Sequence, residues 1–324
     1  MDSTAPYTLY IGGGTPSLMP PEYIAGIKEM TGDAPVEFTI EVNPDDVEQS
    51  RVEAWAAAGV DRISMGVQSL VDSELRAVGR RHDAESARRA FETLRSRFDN
   101  ISLDLMFGLP GQNVESLRST LGGFLEMRPE HISAYSLMYE ERAALTRLRD
   151  CGKIEEIPED ESVEMFLLVN ETLARNGYER YEISNYSLPG RRSRHNSNYW
   201  RGYPYLGLGP SAHSYDGCRR RSCNIPDLRL YLEKAGAEDE SEYREEEILG
   251  DVELREEMVM TRLRTVEGLD LREFETRFGS EELRRLLRKG SGYISSGMLR
   301  REENMLSLTE KGVMVSDDVM SSLF

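Results

Sequence analysis

The sequence predicts an α/β fold in which helices flank a parallel sheet, followed by a smaller second domain. Apolar, β-rich runs recur in the first half of the chain, and polar segments with helical spacing separate them. Strands that alternate with helices in this way are typical of right-handed βα units around a parallel sheet. The runs are TLYIGG, EFTIEVN, RISMGVQS, ISLDLMFGLP and HISAYSLMY.

The helical segments between these runs are expected to start near Pro20, Asp45, Leu70 and Asn113. A further helix is predicted over Glu159 to Asn176, because apolar residues recur there at helical spacing. Its predicted buried stripe consists of Val163, Phe166, Leu167, Leu173 and Ala174. Two more strands are predicted at RYEISNYS and YLGLGPSAHSY.

The composition changes after residue 237. The charged run EDESEYREEE predicts a linker or the exposed start of a helix. Three short helical patterns follow, then MLRREENMLSLT as a hairpin around a polar turn, then a last helix. This order predicts a small winged-helix-like domain over 238–324, after a first domain over 1–237. Residues 251–324 carry 15 acidic and 12 basic side chains, so we do not expect this domain to bind DNA.

Charge and composition exclude several classes of protein. The net charge of −18 argues against nucleic acid as a partner, because neutralising phosphates requires clustered Lys and Arg. No apolar run approaches the roughly 18 residues of a membrane span, and the N-terminus lacks the pattern of a signal peptide. We therefore expect a cytoplasmic protein. The three cysteines, Cys151, Cys218 and Cys223, show neither a disulfide framework nor the spacing of a metal site.

Three consecutive glycines, Gly12 to Gly14, follow the first predicted strand. Glycine reaches positive φ at little cost and has no Cβ, so the triplet either turns the chain sharply or lets a ligand approach the backbone. The spacing fits neither the dinucleotide fingerprint nor the phosphate loop, because no Lys follows and Pro16 interrupts it. The residues alone leave both readings open.

Polar side chains occur on or at the end of three successive predicted strands. Glu41 lies in IEVNP, Gln68 in MGVQS and Asp104 in LDLMFGLPG. Parallel sheets place ligand sites at the carboxyl ends of their strands, so we expect one shared pocket. The alternative is that each of these residues caps or turns the chain separately.

The stretch GRRSRHNSNYWRG, residues 190–202, contains a second group of candidate binding residues. His195 could be an axial ligand to heme iron, and Tyr199 and Trp200 offer flat apolar faces. Four arginines could meet propionates, namely Arg191, Arg192, Arg194 and Arg201. A lone loop histidine is more often structural, and His213 in YLGLGPSAHS is a competing site.

Five motifs together resemble a known family. GGGTPS, EVNP, RISMGVQS with Arg80 twelve residues after Gln68, DLMFGLPG and HNSNYW are similar to the oxygen-independent coproporphyrinogen III oxidase group of radical S-adenosylmethionine (SAM) proteins. Within that group they more closely resemble the HemW-type heme chaperones. The resemblance covers nearly the whole chain and implies a partial (β/α)6 barrel with a small C-terminal domain.

The resemblance also implies which residues bind cofactors. Those matching the family's SAM contacts are Gly13, Gly14, Thr15, Glu41, Gln68, Arg80, Asp104 and, more weakly, Ser136. Those matching its heme motif, H-N-x-x-Y-W, are His195, Tyr199 and Trp200. The residue types are compatible with SAM. Its ammonium group requires an anion, its carboxylate requires a cation, and its two ribose hydroxyls require hydrogen-bond acceptors, and Glu41, Arg80 and Asp104 supply these types.

One family feature has no counterpart in this sequence. The family has a first strand and a C-x-x-x-C-x-x-C loop that holds a [4Fe–4S] cluster, whereas this sequence starts at the second strand. Cluster ligation requires thiolates, so we do not expect this chain to hold the cluster. A late start codon or a trimmed chain is the favoured explanation, and the first strand is then an edge that can pair with another chain.

Three classes of function remain open at this stage. The first is a heme chaperone whose partners are heme and a recipient hemoprotein. The second is an oxygen-independent coproporphyrinogen III oxidase, which performs radical oxidative decarboxylation. The third is a cluster-free barrel that binds a small metabolite. A homodimer, and a peripheral membrane encounter through the recipient, are further expectations of the chaperone hypothesis. HNSNYW favours the first class.

Overall fold

The computed structural model describes residues 6–32, 34–141, 143–237 and 239–324. The chain divides into two compact units, residues 1–195 and 196–324, which are described separately. The predicted domain boundary after residue 237 stays a prediction. Among the described residues, no helix has both the length and the hydropathy that crossing a bilayer requires.

The first unit alternates strands and helices, as the sequence predicts. Five strands, β1 to β5, lie in chain order and run parallel, and two short strands, β6 and β7, extend the sheet antiparallel beyond β5 in the order β7, β6. The elements are β1 Thr8–Ile11, α1 Pro21–Thr31, β2 Glu37–Val42, α2 Gln49–Ala57, β3 Arg62–Gln68, α3 Asp72–Ala77, α4 Ala84–Arg95, β4 Ile101–Phe107, α5 Val114–Met127, β5 His131–Ser136, α6 Ala144–Asp150, α7 Glu159–Arg175, β6 Glu179–Arg180 and β7 Asn185–Ser187.

The two faces of this sheet differ in chemistry. On one face, alternate residues such as Ile40, Met65 and Leu103 are fully buried in the hydrophobic core. Their neighbours on the opposite face, here called the polar face, include Glu41, Ser64 and Asp104. Alternation has this effect because successive side chains of a strand point to opposite sides of the sheet. Strands β1 to β5 therefore present rows of polar groups to one side.

Helix α7 forms where the sequence predicts it, but the predicted stripe is only partly correct, since Leu173 is buried and Phe166 packs against the core whereas the other three residues are exposed. Val163 and Leu167 are exposed, at 37% and 47%, and Ala174 is exposed as well. The buried side chains are Met165, Leu168, Val169 and Leu173. The sequence contains two overlapping apolar stripes along α7, and packing against the sheet buries the stripe that contains Met165, Leu168 and Val169.

Two of the predicted strands are shorter than expected. RYEISNYS forms β6 and β7 rather than one strand, because the Glu182 carboxylate accepts hydrogen bonds from the Ser184 N–H and the Asn185 side chain and turns the chain between them. Only the end of YLGLGPSAHSY is a strand, and its earlier part joins it through a single bridge between Tyr205 and Tyr215. Both corrections concern local turns that apolar patterning does not encode.

Helix α8, Arg194–Trp200, contains the boundary between the two units. The second unit then holds two antiparallel sheets of three strands, in the orders β10-β9-β8 and β11-β13-β12. Its elements are β8 His213–Tyr215, β9 Arg220–Asn224, α9 Leu228–Lys234, β10 Arg244–Ile248, α10 Asp251–Leu263, β11 Leu269–Asp270, α11 Leu271–Phe278, α12 Ser280–Ser295, β12 Leu299–Glu302, β13 Met305–Leu308, α13 Glu310–Val313 and α14 Ser316–Ser322. Three helices followed by a hairpin confirm the winged-helix-like arrangement.

The end of the acidic run before this domain is a strand, which the sequence did not predict. Its last residues form β10, which pairs antiparallel with β9 along its whole length. Glu246 lies 3.4 Å from the Arg220 guanidinium, and Glu247 lies directly opposite Arg221. The arginines of β9 offset the mutual repulsion of these carboxylates, which a reading of the acidic segment alone does not reveal.

Candidate functional site

The glycine triplet follows β1 and lies against Glu41 of β2. A Cβ on Gly12 would lie 2.6 Å from the Tyr10 ring and 2.9 Å from Glu41 Oε1, so any side chain here would collide. Gly13 and Gly14 have φ of +76° and +60°, and the Gly13 N–H donates to Glu41 Oε2 at 3.0 Å. The glycines therefore turn the chain and let Tyr10 and Glu41 approach the backbone, and the approach of a ligand stays a prediction.

Tyr10 is a part of this site that the sequence analysis missed. Its hydroxyl donates to Glu41 Oε1 at 2.7 Å, so Glu41 accepts one hydrogen bond on each oxygen. Burial and the adjacent Glu41 carboxylate raise the pKa of Tyr10 well above its usual value, which keeps the phenol protonated as a donor. Glu41 is consequently held in one orientation at the carboxyl end of β2.

The end of β3 brings Gln68 and Arg80 together. A register shift separates Gly66 from Gln68, and Gln68 has a φ of +70°, a conformation that is costly for any residue other than glycine. Arg80 donates to the Gly66 carbonyl and to Asn43 Oδ1, the latter at 3.2 Å. A Cβ on Gly66 would lie 2.4 Å from Arg80 Nη2, so the guanidinium crosses the strand only because residue 66 is glycine.

Arg80 also retains an unused donor. Its Nε is buried and has no hydrogen-bond partner among the described residues. Burial lowers the pKa of Arg80, while Asp104 and Asp45 oppose that shift. A buried donor without an acceptor is unfavourable, so this guanidinium is suited to receive an anionic group.

Asp104 lies in the middle of β4, opposite Gly66 on one side and Ser133 on the other. Burial raises its pKa to about 6, and Glu41 adds to that shift, whereas hydrogen bonds from Ser133 and Ser64 oppose it. The Ser64 hydroxyl lies 3.4 Å from Asp104 Oδ1. Asp104 therefore shares the polar face with Glu41 and interacts with it electrostatically.

Thr15 and Ser136 lie at the margins of this group. Thr15 precedes the 3₁₀ turn Pro16–Leu18, and Ser136 is the exposed last residue of β5. In the part of the chain that the structure describes, no hydrogen bond joins either side chain to Glu41, Arg80 or Asp104. The structure thus groups most of the predicted SAM residues and leaves these two at the edge.

His195 lies at the start of α8 rather than in a loop, and it is half-buried against β1. Its Nδ1 shares a hydrogen bond of 2.8 Å with Thr8 Oγ1, and its ring stacks on Tyr10 with centroids 4.8 Å apart. Its backbone N–H donates to Glu37 Oε1 at 2.9 Å. Burial lowers the pKa of His195, so the imidazole is neutral at neutral pH.

Tyr199 and Trp200 belong to the second unit. Tyr199 is 39% exposed and meets Tyr205 edge to face, with ring centroids 4.8 Å apart. The Trp200 ring lies 4.6 Å from the Arg264 guanidinium, and its Nε1 is buried without a hydrogen-bond partner among the described residues. In the first unit, Arg192 lies over the Tyr181 ring and Arg191 lies 3.6 Å from Asp99.

His213, the competing histidine, lies opposite Cys223 across β8 and β9. Cys223 Sγ is 3.5 Å from His213 Nε2. Within the described residues, no group of three or more His, Cys, Asp and Glu side chains could hold a metal ion. The pair is therefore a possible source of a single heme ligand but not of a metal centre of its own.

The site was incompletely predicted because its central residues are strand residues of ordinary type. Thr8, Tyr10, Glu37 and Arg62 were not singled out, although all lie on the polar face. A usable signal exists, because strands of a parallel sheet covered on both faces read as continuous apolar runs. The polar positions that alternate along EFTIEV and RISMGV depart from that pattern.

The residues present fit SAM but do not fit its cluster. Glu41, Arg80 and Asp104 supply the required charges, the glycines leave the backbone accessible, and Arg80 Nε has no acceptor in the part of the chain that the structure describes. By contrast, Cys151 lies in the first unit and Cys218 and Cys223 lie in the second, without the spacing of a cluster loop.

Comparison with known proteins agrees with this fold. The profile of the Radical SAM superfamily matches residues 6–122, and that of the HemN C-terminal domain matches residues 252–315. The structure of coproporphyrinogen III oxidase (HemN) from Escherichia coli superimposes with a TM-score of 0.81 at 22% identity, covering 98% of this chain and 77% of that one. The fold is thus that of a radical SAM protein.

Sequence relatives narrow the assignment. Heme chaperone HemW of Bacillus subtilis is 32% identical, over 97% of this chain and 84% of the relative. Heme chaperone HemW of Mycobacterium tuberculosis is 32% identical, over 100% of this chain and 82% of the relative. A mouse mitochondrial protein, radical S-adenosyl methionine domain-containing protein 1, is 38% identical over 64% of this chain and 48% of the relative. The chain belongs to the HemW family.

Proposed function

We propose that this protein is a heme chaperone, which binds heme and transfers it to a hemoprotein. The bacterial relatives that match nearly the whole chain are named heme chaperones. The observation that carries the proposal is the environment of His195. Thr8, Tyr10 and Glu37 hold this residue in one orientation, and burial keeps its ring neutral.

A neutral, oriented imidazole is the form that coordinates iron. Metal-bound histidines use one ring nitrogen for the metal and hydrogen-bond the other to a neighbouring group. The contact with Thr8 occupies Nδ1, so the proposal assigns coordination of the heme iron to Nε2. Tyr199 and Trp200 are proposed to contact the porphyrin through their rings.

SAM is the proposed resident cofactor of the strand-end site. Glu41 would accept from its ammonium group, Arg80 would donate to its carboxylate, and Asp104 would bind a ribose hydroxyl. Gly13, Gly14 and Thr15 would line the methionine end, with Gln68 and Ser136 at the periphery. In radical SAM proteins the cofactor supplies an organic radical when a [4Fe–4S] cluster reduces it.

The oxidase alternative has weaker support. The structural likeness to HemN is at 22% identity, which shows that the two proteins share a fold but does not show that they share a reaction.

The proposed location of the protein is the cytoplasm, and its proposed partner is a recipient hemoprotein. A homodimer and an indirect encounter with a membrane are also proposals.

Heme titration of the purified chain tests the proposal. We expect His195→Ala to shift the Soret band and to weaken ferric heme binding by about tenfold or more, with the far-ultraviolet circular dichroism unchanged. His213→Ala is the matched control, since it removes the exposed histidine of the second unit. A Cys218→Ser, Cys223→Ser variant tests for thiolate coordination.

The controls decide the outcome. The proposal requires heme affinity to depend on His195 and to survive in the other two variants. Wild-type affinity and spectrum in His195→Ala, with loss of binding in His213→Ala or in the cysteine variant, would contradict the assignment of the motif.

A further inference from the structure

Arg62 is a buried cation on the polar face of the sheet. It is the first residue of β3 and is 2% exposed. Its Nε is buried without a hydrogen-bond partner, and no ion pair joins its guanidinium to a carboxylate within the described parts of the chain. Buried charges are normally paired, because an uncompensated charge costs several kcal/mol in real proteins.

A second unsatisfied group lies beside it. Thr39 is the direct neighbour of Arg62 across β2 and β3, is fully buried, and its Oγ1 also has no partner among the described residues. A guanidinium donates only, and a threonine hydroxyl can donate as well. Two adjacent donors on one face of a sheet indicate a place for an oxygen acceptor.

The nearby acids do not fill this role. Glu37 accepts hydrogen bonds from the Arg194 and His195 backbone N–H groups and from Ser193, and Glu41 accepts from Tyr10 and Gly13. Asp104 interacts with Arg62 only through space. The acceptor must therefore come from outside the described residues.

The surroundings indicate the chemical class of that acceptor. Two guanidinium groups, those of Arg62 and Arg80, share this face with the three carboxylates, which favours a singly charged anion over a doubly charged phosphate, since each further negative charge would be repelled. A planar carboxylate also matches the fork of the guanidinium. Tyr10, Asp104 and His195 on this face are partly exposed, whereas Arg62 and Thr39 themselves are buried.

We propose that Arg62, assisted by Thr39, binds a carboxylate group of a ligand that occupies the polar face of the sheet. Two ligands offer this chemistry, namely heme through a propionate and SAM through its methionine carboxylate, which Arg62 would then share with Arg80. The heme version rests on the proposed function, whereas the SAM version does not.

Paired probes test the inference and separate its two versions. Ferric heme is compared with heme dimethyl ester, and SAM with decarboxylated SAM, by titration of the full chain. We expect Arg62→Gln to weaken one carboxylate-bearing probe by about tenfold and to leave its counterpart without the carboxylate unchanged. Arg62→Lys should lie between wild type and Arg62→Gln, and Thr39→Val should weaken the same probe less.

Arg95→Gln is the matched control, because Arg95 does not belong to the polar face and its guanidinium is paired with the Glu130 carboxylate at a distance of 2.9 Å. It should leave all four affinities unchanged. The inference would be overturned if Arg62→Gln weakened the binding of both members of each pair equally, or if it changed the affinity for none of the probes. It would also be overturned if the wild-type chain bound neither ferric heme nor SAM. Thr39→Val keeps the charge of Arg62 and decides the question if Arg62→Gln fails to fold. Loss of heme binding in His195→Ala but not in the Arg62 variants would support the proposed function and refute the heme version.

Discussion

Asp104 has surroundings that favour its protonated form. Its pKa is raised from 3.8 to about 6, chiefly by burial, so the folded protein retains a proton that the unfolded chain loses at lower pH. The stabilising contribution of that proton is complete below about pH 4 and is lost as the pH rises through about 6. At neutral pH the ionised carboxylate is therefore a cost to the folded state, and a cationic or hydroxyl-bearing ligand would offset it.

We predict that Asp104→Asn stabilises the protein at pH 8 and not at pH 4. The expected gain in the free energy of unfolding at pH 8 is ~1–3 kcal/mol, because the amide is neutral at both values. Urea unfolding at the two pH values measures it. An identical change at both would show that the carboxylate does not titrate differently in the folded state.

At the scale of elements, α8 depends on a contact with β2. Glu37 is 4% exposed, and its carboxylate accepts from the backbone N–H groups of Arg194 and His195 at 2.8 and 2.9 Å. A carboxylate at this position satisfies the first donors of the helix and complements its dipole. A residue of β2 thereby fixes the orientation of His195.

Glu37→Gln should therefore destabilise the protein and weaken heme binding. Loss of the charge from these hydrogen bonds is expected to cost ~1–3 kcal/mol, measured by thermal unfolding. Glu92→Gln, on the exposed side of α4, is the control and should change stability little. Unchanged stability and heme affinity in Glu37→Gln would show that α8 does not require this contact.

At the scale of the whole molecule, the distribution of the cysteines limits the cofactor chemistry. Cys151 and Cys218 are exposed and Cys223 is partly exposed. We predict that the 324-residue protein acquires no stoichiometric [4Fe–4S] cluster after anaerobic reconstitution with iron and sulfide, because a cluster needs several convergent thiolates. Iron and sulfide per chain should equal those of a variant in which all three cysteines are serine. An excess near four irons per chain in the unmodified protein alone would contradict this.

The order and type of the main elements followed from the sequence, because hydrophobic periodicity is a local property. Strands β1 to β5 and helices α5 and α7 lie where alternating apolar and polar segments predict them. The buried face of α7 was predicted only in part, and β10 was missed. Both depend on the partner surface, since the sheet selects the stripe of α7 and the arginines of β9 stabilise the acidic strand.

The sequence by itself determined the α/β class, the family resemblance and the identity of the polar residues at the strand ends, because residue type and spacing are read directly from the chain. Tertiary structure alone decided that Tyr10 links Glu41 to His195, that Glu37 anchors α8, and that Arg62 Nε and Thr39 Oγ1 find no hydrogen-bond partner among the described residues. The physical reason is that hydrogen bonding and burial depend on which strands become neighbours. Residues such as Thr8 and His195 are 187 positions apart in the chain, yet they share a hydrogen bond in the fold.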